Sequence, residues 1–122
     1  MAFIYKDAFL TLASLDGERL VQFYRQFFQL DPQSYIPHRY GEFRLQGLRL
    51  GIFTTKVERH NEFADSARSG MSLCLEVDDL EIAIAHLTNL GYPPPGEIIS
   101  NSHGREIYGY DPDGNRLILH QS

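Results

Sequence analysis

Five histidines, one cysteine and two arginines in matching settings are the side chains of this 122-residue chain that could do chemistry. The histidines are His38, His60, His86, His103 and His120, and none pairs with another at the His-x-x-x-His spacing that sets two imidazoles on one helix face for zinc. His120 is the best general-base candidate among them, although a solvated histidine near the terminus is the reading its position favours. Cys74 has no histidine near it in sequence and reads as a small buried thiol. Arg49 and Arg116 lie in the similar runs Gly47-Leu48-Arg49-Leu50 and Gly114-Asn115-Arg116-Leu117. A guanidinium offers paired donors to a carboxylate or phosphate, although arginine at a strand end is more often simply solvated. Tyr40, Arg44, Tyr108 and Tyr110 are further groups able to stack on or hydrogen-bond a ligand, or to pack with the hydroxyl satisfied. There is no Gly-rich phosphate loop and no Gly-x-Ser-x-Gly elbow.

The elements that must position these groups come in two similar sets. Phe9–Leu12 is strand-like, and Leu20, Phe23, Tyr24, Phe27 and Phe28 follow at the spacing of one apolar helical stripe. Asp16 is placed to cap that helix, and Asp31-Pro32 to end it. In the second half Met71–Val77 is strand-like, and Leu80, Ala83, Ile84 and Leu87 repeat the helical spacing. Asp78 and Glu81 have the spacing of a capping box, and Gly91 is a natural stop. Aligning Asp16 with Asp79 gives an offset of 79 − 16 = 63, and aligning Gly47 with Gly114 gives 114 − 47 = 67. Apolar positions match across both alignments. Each half therefore reads as strand, helix and three strands, the later strands lying near 35–37, 40–46 and 48–54, then 97–101, 106–110 and 116–120. Residues 6–54 form the first module, 55–70 a polar linker and 71–121 the second, in a single domain spanning 1–122. A helix and a few strands bury their faces poorly alone, so the two copies are expected to share a core.

The bulk composition excludes several roles. The formal charge of −5 with no basic cluster argues against nucleic acid. No apolar run approaches the ~20 residues that cross a bilayer, and no signal peptide is visible. One cysteine cannot form an internal disulfide, so a reducing cytoplasm is the expected setting.

The ordered set Leu12–Leu30 with Phe23-Tyr24, then Leu75-Glu76-Val77-Asp78-Asp79-Leu80, then Asp111-Pro112-Asp113-Gly114-Asn115-Arg116-Leu117 resembles the vicinal oxygen chelate superfamily of glyoxalase, bleomycin-resistance and extradiol-dioxygenase proteins. The resemblance covers nearly the whole chain. It implies an α+β fold in which two βαβββ modules form a curved mixed sheet around a cleft. Active members hold a divalent metal there, with one ligand from the first and one from the last strand of each module. Carried over, those positions are Phe9, Gly51, Ser72 and Ile118, none a ligand of the expected kind. No metal cofactor is therefore expected, and none of the superfamily's usual metal-dependent chemistry.

By strand alternation Leu10, Leu12, Leu50, Ile52, Leu73, Leu75, Val77, Leu117 and Leu119 should face the helices. Phe9, Thr11, Arg49, Gly51, Phe53, Ser72, Cys74, Arg116, Ile118 and His120 should face the cleft, with Tyr40 nearby. Such a lining suits an organic ligand with an acidic or carbonyl group. The expected function is a small-molecule-binding protein that sequesters or senses its ligand. The alternative is a lyase, isomerase or dioxygenase using non-standard metal ligands or no metal. The resemblance also implies a homodimer.

Overall fold

The computed structural model describes residues 2–122. The first module consists of β1 (Leu10–Ser14), α1 (Gly17–Phe28), β2 (Ser34–Ile36), β3 (Tyr40–Leu45) and β4 (Leu48–Thr54). A short helix, α2 (His60–Phe63), lies between the modules. The second module consists of β5 (Ser72–Glu76), α3 (Leu80–Asn89), β6 (Ile99–Asn101), β7 (Gly104–Tyr110) and β8 (Arg116–Gln121). The strands form two four-stranded mixed sheets, ordered β1-β4-β3-β2 and β5-β8-β7-β6, rather than one continuous sheet. In each, the first and last strands run parallel and the rest antiparallel. No helix is long and apolar enough to cross a membrane among the described residues.

The internal repeat is exact in register where it matters. Leu10 pairs with Leu50 in the first module and Leu73 with Leu117 in the second, which reproduces the offsets of 73 − 10 = 63 and 117 − 50 = 67. The helix caps obey the first offset as well. Asp16 accepts from the Arg19 amide and Asp79 from the Ile82 amide, which satisfies a free donor at each helix start.

Some local expectations are corrected. The second cap is Asp79 rather than Asp78, so Glu81 stands one position short of a capping box, and its carboxylate binds the Arg105 guanidinium. The first helix ends at Phe28, before Asp31-Pro32, because Gln29 takes a left-handed conformation with φ of 54°. The linker is partly helical: besides α2 it makes 3-10 turns at Val57–Arg59 and Ser66–Arg68. The first strand begins at Leu10 and leaves Phe9 just outside it.

The core lies between the helix-facing sides of the sheets. Leu20, Tyr24, Phe43, Leu50, Ile52, Leu80, Leu87, Leu117 and Leu119 are all fully buried. Glycines let the helices sit close to the sheets: a Cβ on Gly41 would stand 2.7 Å from Val21 of α1, and one on Gly109 would stand 2.5 Å from Leu87 of α3. The modules are joined chiefly through α1. Its Phe23 ring meets Tyr92 edge-on and its Phe27 ring stacks on His86. The Tyr24 hydroxyl donates to Asp111 at 2.7 Å, and Arg19 donates to the Pro112 carbonyl and to Asp113. His86 packs half-buried, as its helical position suggests, with Nε2 2.8 Å from the Phe27 carbonyl.

Candidate functional site

Apart from His38, His60, His86 and His103, which lie in turns or helices, the side chains singled out for chemistry lie on or beside the sheet faces away from the helices, and the strand registers order them in rows. On the first sheet the rows across β1, β4 and β3 are Thr11, Gly51 and Glu42, then Ala13, Phe53 and Tyr40. Phe9 stands beside Arg49, whose guanidinium lies 4.3 Å from the centre of the Phe9 ring. Arg49 is neutralised on two sides. It pairs with Asp7 and lies 3.3 Å from Glu42 through Nε, although that N–H is not aimed for a hydrogen bond. Tyr40 donates to Glu42 at 2.7 Å. Burial and then the Glu42 carboxylate push the Tyr40 phenol up from its usual value. Phe53 meets Phe63 of α2 edge-on.

On the second sheet the rows across β5, β8 and β7 are Ser72, Arg116 and Tyr110, then Cys74, Ile118 and Tyr108, then Glu76, His120 and Glu106. Arg116 donates to Ser72 Oγ through Nε at 2.8 Å and to the Ser69 carbonyl through Nη2 at 2.9 Å. Neither partner is a carboxylate, so its charge is not neutralised by them. Cys74 is exposed rather than buried, because its strand position turns it off the core. Its thiol is pushed up, first by partial burial and then by the nearby Glu106 and Glu76 carboxylates, so the reactive thiolate is disfavoured.

His120 is not a solvated terminal residue. Its side chain is 15% exposed and its Nδ1 lies 2.6 Å from Glu76 Oε1. Ser122 donates to the other Glu76 oxygen through its amide and hydroxyl. The Ser122 and then the His120 contacts hold the Glu76 carboxyl below its usual range. An ionised carboxylate only accepts, so Nδ1 carries the proton. Nε2 is buried and has no partner among the described residues, and the His103 ring lies 5.8 Å away, centre to centre. Glu76 was missed by the sequence reading, although strand alternation extended from Ser72 and Cys74 puts it on the same face.

A cavity of about 310 Å³ opens between the free edges of β1 and β5, under the linker. Thr11, Ser72 and Arg116 reach it from the open faces, whereas Phe9, Tyr40, Arg49, Gly51, Phe53, Cys74, Ile118 and His120 do not line it. Its apolar wall includes Leu10, Leu12, Leu50, Met71 and Leu73, with Tyr24 of α1 also contributing. The linker's share was missed because a polar segment between repeats carries no periodic signal.

The sequence pattern of the Glyoxalase/Bleomycin resistance protein/Dioxygenase superfamily matches residues 8–119. The chain belongs to that superfamily. No curated protein matches it significantly in sequence. Solved structures share the superfamily fold at low identity. A glyoxalase/bleomycin resistance protein from Catenulispora acidiphila is 20% identical over 95% of this chain and 97% of its own, with a TM-score of 0.69. The fosfomycin resistance protein FosX from Listeria monocytogenes, solved with Mn(II) and sulfate, is 20% identical over 98% and 92%, with a TM-score of 0.74. An Agrobacterium tumefaciens protein solved by NMR is 22% identical over 97% and 98%, with a TM-score of 0.77.

The positions that the resemblance assigns to the superfamily's metal, Phe9, Gly51, Ser72 and Ile118, offer none of its usual ligand side chains. Phe9 lies under the guanidinium of Arg49, whose charge is paired, and Ser72 Oγ is hydrogen-bonded by Arg116, whose charge is not. Ile118 has no donor atom. A Cβ on Gly51 would stand 3.0 Å from the Tyr40 hydroxyl, so any longer side chain there would have to displace that ring. Among the described residues no three His, Cys, Asp or Glu side chains lie close enough to hold a metal.

Proposed function

We propose that this superfamily member is a small-molecule-binding protein that works without a metal, sequestering or sensing an organic ligand. The observation that carries the reading is the placement of Arg116 against Ser72, which puts a guanidinium with no carboxylate partner where the superfamily pattern would put a divalent cation. Electrostatics then favour an acidic or carbonyl-bearing ligand over a metal. The exposed aromatic surface of Phe3, Tyr5, Phe9 and Tyr108 supports a homodimer in which a second copy covers part of the open faces. The single thiol fits a reducing, cytoplasmic setting. The decisive experiment is calorimetric titration of the chelator-treated protein with nickel, zinc, cobalt and, anaerobically, ferrous iron. No saturable binding is expected, and one equivalent bound at micromolar affinity or tighter would overturn the reading. Light scattering on the eluting protein should give twice the mass of the chain.

One observation favours an enzyme as a second reading. The row Glu76, His120 and Glu106 sets an imidazole between two carboxylates, with its Nδ1 proton held by Glu76. That arrangement fixes the tautomer in which Nε2 accepts a proton, the state a general base needs. Proton abstraction next to a carbonyl, with the electron pair kept on the ligand and the imidazolium stabilised by Glu76, would require the groups that bury Nε2 to move aside. Loss of such turnover in His120→Ala with an unchanged fold would favour this reading, and unchanged turnover would remove His120 from it.

A further inference from the structure

We infer that the cavity between β1 and β5 is the ligand site of this chain, and that it takes a monoanionic amphipathic molecule whose acidic group binds Arg116. The inference rests on the metal-free binding reading and adds a place and a ligand class to it. Three observations converge. First, the cavity's size, about 310 Å³, is at the lower end of small-molecule sites, and Leu10, Leu12, Leu73 and Met71 give it an apolar interior. Second, its walls are the free edges of two strands. β1 pairs only with β4, and β5 only with β8, so backbone donors and acceptors on the facing edges have no strand partner. A polar ligand group or water can satisfy them there.

Third, Arg116 is a cation at this cavity with no carboxylate bonded to it. Nε and Nη2 are anchored on Ser72 and Ser69, which fixes the plane of the guanidinium and leaves Nη1 without a hydrogen bond among the described residues. A pre-oriented guanidinium loses little entropy on binding an anion. Two carboxylates, Glu62 and Asp65, also border the cavity. Each is more than half exposed and paired with its own arginine, Glu62 with Arg59 at 3.1 Å and Asp65 with Arg68 at 3.6 Å. Their charges face water and are screened, whereas Arg116 is half-buried. The balance at the apolar wall is therefore positive.

The test uses 2-naphthoate as the probe and 2-naphthamide as its neutral match. The chain has seven tyrosines and no tryptophan, so naphthyl fluorescence anisotropy excited to the red of tyrosine absorption reads binding without interference. In the presence of EDTA, wild-type protein should bind 2-naphthoate saturably, one per chain. Arg116→Gln should weaken naphthoate by about tenfold or more and leave naphthamide nearly unchanged. Ala13→Phe, which fills the wall, should weaken both. Amide shifts of Leu12 and Leu73 in the wild-type protein should move on adding naphthoate, which keeps the test valid if either variant fails to fold. Equal naphthoate affinity in a folded Arg116→Gln, shifts confined to Tyr108 and Ile118, or no binding up to millimolar probe would overturn the inference. These failures leave the metal-free reading standing. That reading falls only if the metal titration shows a bound equivalent, whatever the probe does.

Discussion

The two open faces descend from one repeated pattern and have been filled with opposite chemistry. The row containing Ala13, Phe53 and Tyr40 on the first sheet corresponds, through the repeat offsets of the first two residues and the strand pairing of the third, to Glu76, His120 and Glu106 on the second. One is aromatic and the other is acid, base, acid. Arg49 and Arg116 occupy equivalent places, yet Glu42 and Asp7 neutralise the first, and the second is anchored only by Ser72 and a backbone carbonyl. Where the first sheet has Glu42, the second has Tyr108. The backbone repeat decides which positions share a face. The neighbours in each row decide whether an equivalent side chain is spent on an internal ion pair or left for a ligand.

The helices differ in the same way, and that difference should produce the largest effect. Phe23 of α1 and His86 of α3 are equivalent at the offset of 86 − 23 = 63, but α1 buries six residues against two for α3. Phe23→Ala should cost about 3–5 kcal/mol, since it opens a cavity between the modules. His86→Ala should cost about 1 kcal/mol, the worth of an ordinary hydrogen bond at a half-buried site. Urea unfolding of both variants checks this. Similar midpoints would mean that α1 is not the element that joins the modules.

The second-largest effect tests the same bridge through its polar contact. Tyr24→Phe removes the only side-chain bond from α1 to the buried Asp111 carboxylate and should cost about 1–3 kcal/mol. Its pH dependence has a definite sign. Burial raises the Asp111 carboxyl above its ordinary 3.8, outweighing the hydrogen bonds from Tyr24 and Asn115 that lower it. A raised carboxyl contributes stability below its unfolded value and loses it as pH rises through the folded one. Removing Tyr24's hydroxyl raises the folded value further. The deficit of the variant should therefore be larger at neutral pH than near pH 3.

Much of this was legible in the residues alone. Two helical stripes, two capping aspartates and two Arg-Leu runs at constant offsets carry the βαβββ repeat, because periodicity and caps are local signals. Alternation correctly sorts Leu50, Ile52, Leu117 and Leu119 into the core. What was not legible depends on partners distant in sequence. Asp7 reaches Arg49 across 42 residues and Glu76 reaches His120 across 44. Nor does a strand pattern say that the edges of β1 and β5 face one another across a cavity. Phe9 and Ser72 could be named as non-ligands from their chemistry, but the guanidinium beside each becomes visible only in three dimensions.

Two equivalent glutamates sharpen the comparison at acid pH. Glu18 of α1 and Glu81 of α3 are 81 − 18 = 63 apart. Hydrogen bonds from Tyr35, the His38 amide and Gln22 hold Glu18 down to about 2, from an ordinary 4.5. Glu81 is lowered by Arg105, on an open surface. A lowered carboxyl stabilises above its unfolded value, and that stability is lost as pH falls through the folded one. Wild-type protein should lose stability between pH 4.5 and about 2. Glu18→Gln should flatten that part of the pH profile more than Glu81→Gln, because the Glu18 bonds also hold His38 in its left-handed turn, with φ of 66°. Equal flattening by the two substitutions would show that the exposed ion pair matters as much as the turn.

The smallest effect is expected where the two arginines diverge. Asp7 lies on the exposed N-terminal segment, and its carboxyl is held low first by the Ala8 amide and then by Arg49. Surface ion pairs of this kind contribute little to stability and weaken with salt. Asp7→Asn should therefore shift the unfolding midpoint least of all the substitutions considered. It should also create no second naphthoate site, since Glu42 still stands 3.3 Å from Arg49. Anisotropy at saturating probe counts the sites directly. A second equivalent bound by Asp7→Asn would mean that the N-terminal strap, rather than the choice of Glu42 over a tyrosine on β3, keeps the first face closed to anions.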